Sequence, residues 1–393
     1  MRTAIPRYLF ISISCLILFS PLKAQEDNPT TIGGYGNAFY KYDANASASN
    51  INFERFVLFF GHTFKGGISL MSEVELEDAK VSGGEPGGEV ALEQAYLKFD
   101  FDADRYLVAG LFTPRIGILN ENHLPNSFNG NERTQVERYI IPATWRELGV
   151  GYYCNSLPLN YTVAVVNGLN SASFEHGSVI RGGRYEGREA AANSLALTGA
   201  VQLASGAVTS QVSGYYGGTV GLSSRDADSL NLSGGLFGTP VFVGEANVQF
   251  NMDGFTGRVL GAYVSIPKAE DINNAYGNNT PEAAFGAYAE VAYNLLHGSS
   301  SPATRQLLLF ARYETLDMNA TIPSNGIMDG TLRQHHVVTG VTYLPIANVA
   351  IKADVRFAAT GEENPLIPVN ADPSALPYES ANTLITLGFG FSF

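Results

Sequence analysis

Hydrophobic and polar residues alternate along much of the chain, most clearly in its last segment. One face of this segment carries Thr383, Ile385, Leu387, Phe389, Phe391 and Phe393. The positions between them hold small or polar side chains and one leucine, Leu384. A period of two is typical of a β-strand that has a hydrophobic environment on one side and water on the other.

Charged segments of the chain show the same period. In residues 68–78 three glutamates alternate with aliphatic residues, and in residues 347–357 a lysine, an aspartate and an arginine do so. A strand that is charged on one face and apolar on the other borders water on one side only. The polar faces of such strands predict a set of water-facing wall residues: Glu73, Glu75, Glu147, Glu245, Glu290, Arg312, Glu314, Lys352, Asp354 and Arg356.

Turn-forming residues divide the chain into about sixteen predicted strands. They lie near residues 31–42, 51–64, 67–78, 89–101, 104–116, 144–154, 159–168, 193–204, 207–217, 239–251, 254–265, 281–296, 303–316, 331–344, 348–360 and 380–393. Every second connection is short, such as Lys65-Gly66 and Ser205-Gly206, and most of the others are longer. Short turns on one rim and long loops on the other are typical of an outer-membrane barrel with periplasmic turns and extracellular loops.

The predicted fold class is therefore all-β, a transmembrane antiparallel β-barrel of about sixteen strands. A barrel of this size encloses an aqueous channel instead of a packed core. Fourteen or eighteen strands are alternatives, because one hairpin is easily miscounted. A soluble β-sandwich or propeller is the competing fold, but it does not explain the asymmetry of the connections.

The final strand carries a further feature, because Phe389, Phe391 and Phe393 share one face and the last of them ends the chain. This pattern resembles the recognition signal that the outer-membrane assembly machinery reads. The alternative is a plain hydrophobic edge strand. An exposed apolar edge promotes aggregation, and closing a barrel removes it. We therefore interpret the three phenylalanines as an assembly signal.

The first residues predict a secretory signal peptide over residues 1–24. Arg2 and Arg7 precede an apolar run at 8–19, and the small residue Ala24 ends the segment. Residues 25–393 then form a single barrel domain, and no later apolar run reaches the roughly 18 residues that a membrane-spanning helix needs. Cys15 lies within the signal, where lipid attachment is the alternative, so the exported chain keeps only Cys154 and no intrachain disulfide is possible. We expect Cys154 to face lipid or a neighbouring side chain.

The exported chain is acidic. Residues 1–24 contain three basic and no acidic residues, which leaves 21 Lys plus Arg against 37 Asp plus Glu, a net charge of −16. A general nucleic-acid binder needs a basic face, so nucleic acid is not expected as a partner. The 42 Gly, 23 Phe and 20 Tyr favour strands over helices.

The candidate metal-binding motifs of the chain lack the residue types and the spacing that such sites require. His335 and His336 point to opposite faces of a strand, so they cannot converge on one metal ion. Residues 100–111 begin like a calcium loop, but Arg105 stands where Gly is required and Leu111 where a bidentate Glu is required. We therefore expect no metal, no cofactor and no enzymatic activity. A hydrolase built from residues far apart in the chain is an open alternative.

Residues 117–143 form a long polar connection, the third extracellular loop in the predicted order. The segment also contains apolar residues such as Ile118, Leu119 and Ile140, so it can fold back and pack inside a wide lumen. An ordinary surface loop is the alternative. Inside the lumen, the loop would narrow the channel and its charged residues would set size and charge selection. These residues are Glu121, His123, Glu132, Arg133, Glu137 and Arg138.

Small residues occupy several inward-facing positions of the predicted strands. They are Gly149, Gly151, Gly286, Gly340, Gly388 and Gly390. Glycines do not fill a lumen, which favours an open one over a barrel packed with side chains. Alternatively, they lie beneath the inward loop or ease strand curvature.

The loop at 117–143 and the two segments at its ends resemble the core of the phosphate-selective porin (O/P type) family and its broader porin relatives. The segments are Gly110-Leu111-Phe112-Thr113-Pro114-Arg115-Ile116-Gly117 and Ile141-Pro142-Ala143-Thr144-Trp145-Arg146-Glu147-Leu148-Gly149-Val150. The resemblance implies a sixteen-stranded, homotrimeric outer-membrane channel whose third loop folds into the pore. Phosphate-selective members line the pore with Arg and Lys, whereas here the alternation that aims Arg312, Lys352 and Arg356 inward also aims many carboxylates inward.

The function predicted from these features is a porin of a Gram-negative outer membrane, which passes small hydrophilic solutes or ions by passive diffusion. Rings of carboxylates favour cations and clusters of Arg and Lys favour anions, so a weakly cation-preferring or unselective channel is expected. The expected partners are outer-membrane lipid and lipopolysaccharide, the assembly machinery and two further copies of the chain. An anion or phosphate channel, a barrel adhesin and an outer-membrane hydrolase are the alternatives.

Overall fold

A computed structural model describes residues 29–79, 88–299, 305–367 and 379–393. Sixteen antiparallel strands in this part of the chain form one closed barrel, in which each strand pairs with its neighbours in sequence. The strands are β1 (Thr30–Asp43), β2 (Ala48–Thr63), β3 (Ile68–Glu77), β4 (Val90–Asp100), β5 (Arg105–Phe112), β6 (Glu147–Ser156), β7 (Leu159–Asn167), β8 (Leu195–Ser205), β9 (Val208–Gly217), β10 (Val241–Met252), β11 (Phe255–Ser265), β12 (Ala283–Asn294), β13 (Gln306–Thr321), β14 (Arg333–Ile346), β15 (Val349–Thr360) and β16 (Ala381–Ser392). The first and last strands close the barrel, with Gly36 opposite Phe391 and Ala38 opposite Phe389.

The predicted fold class and strand number are confirmed, and every predicted strand has its counterpart. The largest differences in the bounds occur at β5 and β13. β5 ends at Phe112 instead of near 116, because the chain turns at Thr113-Pro114 and proline cannot donate to a strand ladder. β13 continues to Thr321, past the predicted end near 316, and its pairing with β12 is interrupted by a register shift.

The two faces of the barrel wall differ in exposure as the alternation predicts. In β12, Phe285 and Val291 are exposed on the outer face, whereas Tyr288 and Glu290 are buried on the inner face. The outer face carries a band of exposed aliphatic and aromatic residues around the barrel: Val150, Val163, Leu197, Val212, Phe242, Val259, Phe285, Val291, Leu309, Val337, Ile351, Phe357, Ile385 and Leu387. Such a band suits contact with hydrocarbon.

Short helices lie in the connections between strands. The α-helices are α1 (Gln135–Tyr139), α2 (Ser224–Ser229) and α3 (Ala269–Tyr276), and single 3₁₀ turns occur at Ser171–Ser173, Arg181–Gly183 and Gly330–Leu332. Within the described ranges, no helix combines the length and the apolar character needed to cross a membrane.

The main hydrophobic core lies between the inner wall and the connection from β5 to β6. Ile116, Leu119, Val136, Ile140 and Trp145 of this connection are all buried. The barrel is therefore filled on one side by its own chain.

Two further predictions concern the signal peptide and the environment of Cys154. The predicted signal peptide, residues 1–24, lies outside the described residues. Cys154 is a free cysteine and is buried, which fits the expected packing against neighbouring side chains.

Candidate channel constriction

The connection from β5 to β6, residues 113–146, is bound to the inner wall by ion pairs. Glu132 pairs with Lys41 of β1 at 3.3 Å and with Arg356 of β15 at 3.1 Å. Burial acts in the opposite direction, but the two cations lower the pKa of Glu132 to about 2. The carboxylate therefore stays ionised and holds the loop against the wall where the barrel closes.

A second set of contacts joins the loop to β15. The Lys352 ammonium donates to the backbone oxygens of Phe128 and Gly130 at 2.8 and 2.7 Å. The backbone N–H and the side-chain amide of Asn131 both donate to Asp354, at 2.9 and 2.7 Å. Charge-assisted bonds of this kind are stronger than neutral ones. They hold residues 128–131 against the inner face of β15.

Helix α1 is bound to β13. Glu314 accepts hydrogen bonds from the backbone N–H groups of Gln135 and Val136, at 2.5 and 3.4 Å. These are unsatisfied donors of the first helical turn, where a carboxylate is favourable. The Thr134 side chain caps the same turn by accepting from the Glu137 N–H. Arg312 supports this anchor, because its guanidinium donates to Glu314 at 2.8 Å.

Glu137 joins three parts of the structure. Its Oε2 accepts from the backbone N–H groups of Ile118 and Leu119, at 2.9 and 2.6 Å, and its Oε1 accepts from the Tyr288 hydroxyl of β12 at 2.7 Å. Burial raises the pKa of Glu137 to about 7, against the lowering effect of these hydrogen bonds, and the nearby Glu245 raises it further. This side chain is fully buried, so it holds the loop and does not face open space.

Three inward glycines provide room for the loop. A Cβ atom on Gly286 would lie 3.0 Å from Val136 and 3.1 Å from Ile140. A Cβ atom on Gly388 would overlap Asn131, and one on Gly390 would overlap Pro125. These glycines therefore lie beneath the inward loop, the alternative that the sequence left open for them.

The loop occupies one side of the barrel and leaves a cavity of about 130 Å³ on the other. The cavity lies between the loop and the inner wall formed by β2 to β6. Its lining includes Phe59, Met71, Ser72, Glu73, Gln94, Tyr96, Tyr106, Val108, Phe112, Thr113, Arg115, Glu121, His123, Leu124 and Tyr153. Tyrosines, an amide, a hydroxyl and charged groups make this lining suitable for water and polar solutes.

The charged groups at the cavity carry more acid than base. Arg115 is paired with Glu121 at 2.6 Å, and its guanidinium lies over the Tyr153 ring. His123 is buried, and its Nε2 lies 3.6 Å from Glu93. Glu73 adds a further carboxylate to the lining. Because Arg115 and Glu121 compensate each other, the remaining charge at the cavity is acidic.

Two β-bulges add charged residues to this region, and sequence reasoning missed them. The register between β1 and β2 shifts at Glu54, and that between β3 and β4 shifts at Glu93. At each bulge one extra residue interrupts the alternation. As a result Glu93 is buried on the inner side next to the cavity residue Gln94, and Arg55 pairs with Glu75 at 3.4 Å. A strict period of two assigns Glu93 and Gln94 to opposite faces.

The predicted loop residues have different locations. Glu121 and His123 line the cavity, Glu132 is paired to the wall and Glu137 is buried. Arg133 is partly buried. Arg138 is exposed, and its guanidinium lies over the Tyr139 ring.

The predicted wall residues lie on the inner side, and most of them bind the loop or one another. Glu73 alone of this group lines the cavity. Glu147 accepts from the Trp145 indole at 2.8 Å, and Glu245 accepts from the backbone N–H of Gly117 at 3.3 Å. The others in contact with the loop or with a charged neighbour are Glu75, Glu290, Arg312, Glu314, Lys352, Asp354 and Arg356.

The phenylalanines of the last strand are on the outer side. Phe389 and Phe393 are exposed, and Phe391 is partly exposed. The backbone of Phe393 exchanges hydrogen bonds of 3.0 and 2.9 Å with Gly34 of β1, so the last residue takes part in closing the barrel.

No protein-family model matches the sequence. A protein of Aquifex aeolicus (strain VF5), described as an uncharacterized protein, is 32% identical over 336 residues, which cover 82% of this chain and 74% of the relative. The chain belongs to the same family as this protein.

The architecture of this family member is similar to that of solved outer-membrane porins. OmpF of Salmonella typhi, in complex with daunomycin, has a TM-score of 0.57 at 12% identity, with 93% of this chain and 98% of that chain covered. The anion-selective porin of Comamonas acidovorans has a TM-score of 0.54 at 11% identity, with 93% and 99% covered. The outer-membrane channel DcaP of Acinetobacter baumannii has a TM-score of 0.54 at 13% identity, with 93% and 97% covered. At such identities the similarity concerns the fold; membership of the phosphate-selective (O/P type) family stays a prediction.

Proposed function

We propose that the protein is a porin of a Gram-negative outer membrane, exported with the help of its first 24 residues. It provides a water-filled path through which small hydrophilic solutes or ions diffuse passively, and it makes or breaks no bond. The observation that supports this proposal is the loop bound inside a closed sixteen-stranded barrel beside a polar cavity. The porin-like fold of the solved structures supports the same function.

We further propose that the constriction lies between the loop and the β2–β6 wall. Glu73, Arg115, Glu121 and His123 line this gap. Charges in water-filled space are screened within about 8 Å at physiological salt, so groups at the gap decide which ions pass. With Arg115 paired to Glu121, the gap favours cations weakly.

The basic wall residues do not favour a phosphate path in this arrangement. Lys352 is bonded to loop carbonyl oxygens, Arg356 to Glu132, and Arg312 to Glu290 and Glu314. A ladder that passes phosphate along a pore needs basic groups that solutes can reach. We therefore propose that the similarity to phosphate-selective porins covers architecture and not the transported solute.

We propose a homotrimer as the assembled state, with outer-membrane lipid, lipopolysaccharide and the assembly machinery as partners. A solved structure of similar fold, OmpT of Vibrio cholerae, is described as a trimer form and has a TM-score of 0.53 at 12% identity. For lipopolysaccharide, a groove of about 490 Å³ on the outer side combines the exposed Leu92 and Leu148 with the exposed Arg188. Arg146 and Arg184 also line the groove, and both are paired with Glu186. Apolar side chains beside an exposed arginine suit acyl chains below phosphate groups.

The decisive experiment is single-channel recording of the purified protein in a planar bilayer, with the reversal potential measured in a KCl gradient. Discrete ohmic steps with a weak cation preference are expected. Deletion of residues 121–138 should enlarge the steps without preventing insertion. Unchanged conductance in the deletion variant would rule out the constriction, and anion selectivity with block by phosphate would favour a phosphate channel instead. Absence of any conductance would leave the adhesin or hydrolase alternatives.

A further inference from the structure

Three side chains from three different elements converge beside the cavity. They are Glu73 of β3, Glu93 of β4 and His123 of the loop, and one possible ligand atom of each lies within 4.8 Å of those of the other two. The Nε2 atom of His123 is 3.6 Å from Oε2 of Glu93. This distance is too long for a good hydrogen bond. For a tetrahedral ion with bonds near 2.1 Å, ligand atoms lie roughly 3.4 Å apart, which is close to the observed separation.

The orientation of His123 is fixed by its other ring nitrogen. Nδ1 lies 3.2 Å from the backbone oxygen of Asn120. A carbonyl oxygen only accepts, so Nδ1 carries the hydrogen and donates it. In the neutral ring, Nε2 then directs its lone pair at the Glu93 carboxylate, which is also an acceptor. Histidine ligands of metal ions commonly have this arrangement, with the second nitrogen bonded to a carbonyl oxygen.

The environments of the Glu73 and Glu93 carboxylates are those of metal ligands. Glu93 is 1% exposed and accepts hydrogen bonds from the Thr144 hydroxyl and the Tyr35 hydroxyl, each at 3.2 Å. Such bonds orient a carboxylate for a metal ion. Among the described residues, the buried Oε2 atom of Glu73 has no hydrogen-bond partner. A buried carboxylate oxygen without a partner is unfavourable, and a cation at this point would satisfy it.

The site beside the cavity is accessible to an ion, and its carboxylates favour a cation. Glu73 and His123 line the cavity of about 130 Å³, which gives an ion a way in. Glu75 lies on the same strand and is 4% exposed, and Arg55 is its ion-pair partner. The carboxylates of Glu73 and Glu93 also interact electrostatically with Arg55 and Arg146. Arg55 is shared with Glu75 and Arg146 with Glu186, at 3.4 and 3.3 Å, so a cation would add to the compensation that the imidazole gives.

We propose that Glu73, Glu93 and His123 form a binding site for one divalent transition-metal ion of the Zn²⁺ class, which joins the loop to the barrel wall. One imidazole and two carboxylates suit Zn²⁺ and similar first-row ions, whereas Mg²⁺ and Ca²⁺ prefer oxygen ligands throughout. Three protein ligands leave a fourth position, on the cavity side, for water or a solute. The competing arrangement is a protonated His123 paired directly with Glu93, without any metal.

The test is binding of Zn²⁺ to the full-length protein purified in detergent, measured by isothermal titration calorimetry at about pH 8, where an ordinary histidine is neutral. One ion per chain is expected, and His123→Gln and Glu93→Gln should each weaken binding by at least about tenfold. His336→Gln is the matched control. His336 is a buried histidine on the inner face of β14, and its Nε2 lies 3.1 Å from Gln334. This control should bind Zn²⁺ like the wild type.

A second measurement on the unaltered protein covers the case in which a variant does not fold. Trp145 is the single tryptophan of the chain and follows Thr144, the hydrogen-bond donor to Glu93. Co²⁺ at the site should quench Trp145 fluorescence, produce a visible absorption band of tetrahedral type, and be displaced by Zn²⁺. Failure of the wild type to bind either ion, or equal binding by the wild type and His123→Gln, would overturn the proposal. Neither measurement depends on conductance, so the outcome is independent of the proposed channel function.

Discussion

The Tyr288 hydroxyl donates a 2.7 Å hydrogen bond to Glu137, and this bond joins helix α1 of the loop to strand β12 of the wall. Both side chains are buried. The same carboxylate accepts from the backbone of Ile118 and Leu119 at the start of the loop. A single group therefore joins the beginning of the loop, its helix and the barrel.

Glu137 predicts a pH dependence of stability. Burial, together with Glu245, raises the pKa of Glu137 to about 7 in the folded protein, above that of an exposed glutamate. A carboxyl group with a raised pKa contributes stability that is fully present below its unfolded value, near 4.3, and is lost as the pH rises through about 7. Between about pH 5 and pH 7 the wild type should lose about 2 kcal/mol relative to a variant without this titration, and little more above pH 7, where both states are ionised.

Glu137→Gln supplies that comparison, because glutamine keeps an oxygen for the Ile118 and Leu119 N–H groups and does not ionise. The measurement is the midpoint temperature of unfolding in detergent, followed by circular dichroism at several pH values. We expect the wild-type midpoint to fall relative to the variant as the pH rises from 5 to 7. Parallel pH profiles for the two proteins would contradict the assignment.

Gly286 predicts a steric effect on the loop. Valine at this position would bring a Cβ atom within 3.0 Å of Val136 and 3.1 Å of Ile140. Overpacking of this kind costs about 1–3 kcal/mol, and we expect Gly286→Val to displace α1 and increase single-channel conductance. Gly261→Val on the adjacent strand is the matched control, because no atom lies within 4 Å of a Cβ built there. Equal conductance of the two variants would show that the loop does not depend on this glycine.

Much of the barrel could be predicted from the sequence, because an apolar outer face and a polar inner face impose a simple rule on each strand. The outer positions of β12 are apolar at every second residue, those of β16 are so except for Thr383, and the short turns occur at every second connection. The same rule fails at Glu93 and Glu54, where a bulge inserts one residue. A bulge depends on pairing with another strand, so the alternation within one strand does not show it.

The residues of the lumen could be predicted, but not their roles. Alternation assigned Lys352 and Glu314 to the inner face, where the structure also has them. Both of them bind backbone groups of the loop instead of facing the cavity. These contacts join residues more than 170 positions apart, and the backbone groups involved leave no trace in residue type. His123 was a candidate for ion selection, whereas its partner Glu93 was not recognised.

Replacement of Lys352 should weaken the attachment of residues 128–130 to the inner wall. Its ammonium donates to two loop carbonyl oxygens and lies 4.0 Å above the Phe128 ring. Lys352→Met keeps a chain of similar length but removes both bonds, which together contribute about 2–4 kcal/mol. We expect larger and noisier single-channel currents. Lys98→Met also removes an inward lysine, but one paired with Asp100 on its own strand, and it should leave the current noise unchanged. Equal noise in both variants would contradict the role of Lys352.

Phe393 allows the assembly signal to be separated from a purely structural role. The backbone of Phe393 bonds to Gly34, and the residue is 62% exposed, with its ring on the outer side next to Gly34. Phe393→Ala therefore keeps the two closing hydrogen bonds and removes only the ring. If the ring is read by the assembly machinery, this variant should refold normally in detergent and yet reach the outer membrane several-fold less than the wild type. The measurements are heat-modifiable migration of refolded protein and immunoblotting of outer-membrane fractions.

Phe101→Ala is the matched control, because Phe101 is 61% exposed and lies at the turn between β4 and β5. Its loss removes the same ring from another exposed position, so surface levels should stay near those of the wild type. Deletion of Phe393 removes the backbone bonds as well, and it should impair both refolding and membrane levels. Normal membrane levels of Phe393→Ala would refute the assembly signal. Refolding in detergent requires no assembly machinery, so poor refolding of this variant would instead assign the ring to barrel closure.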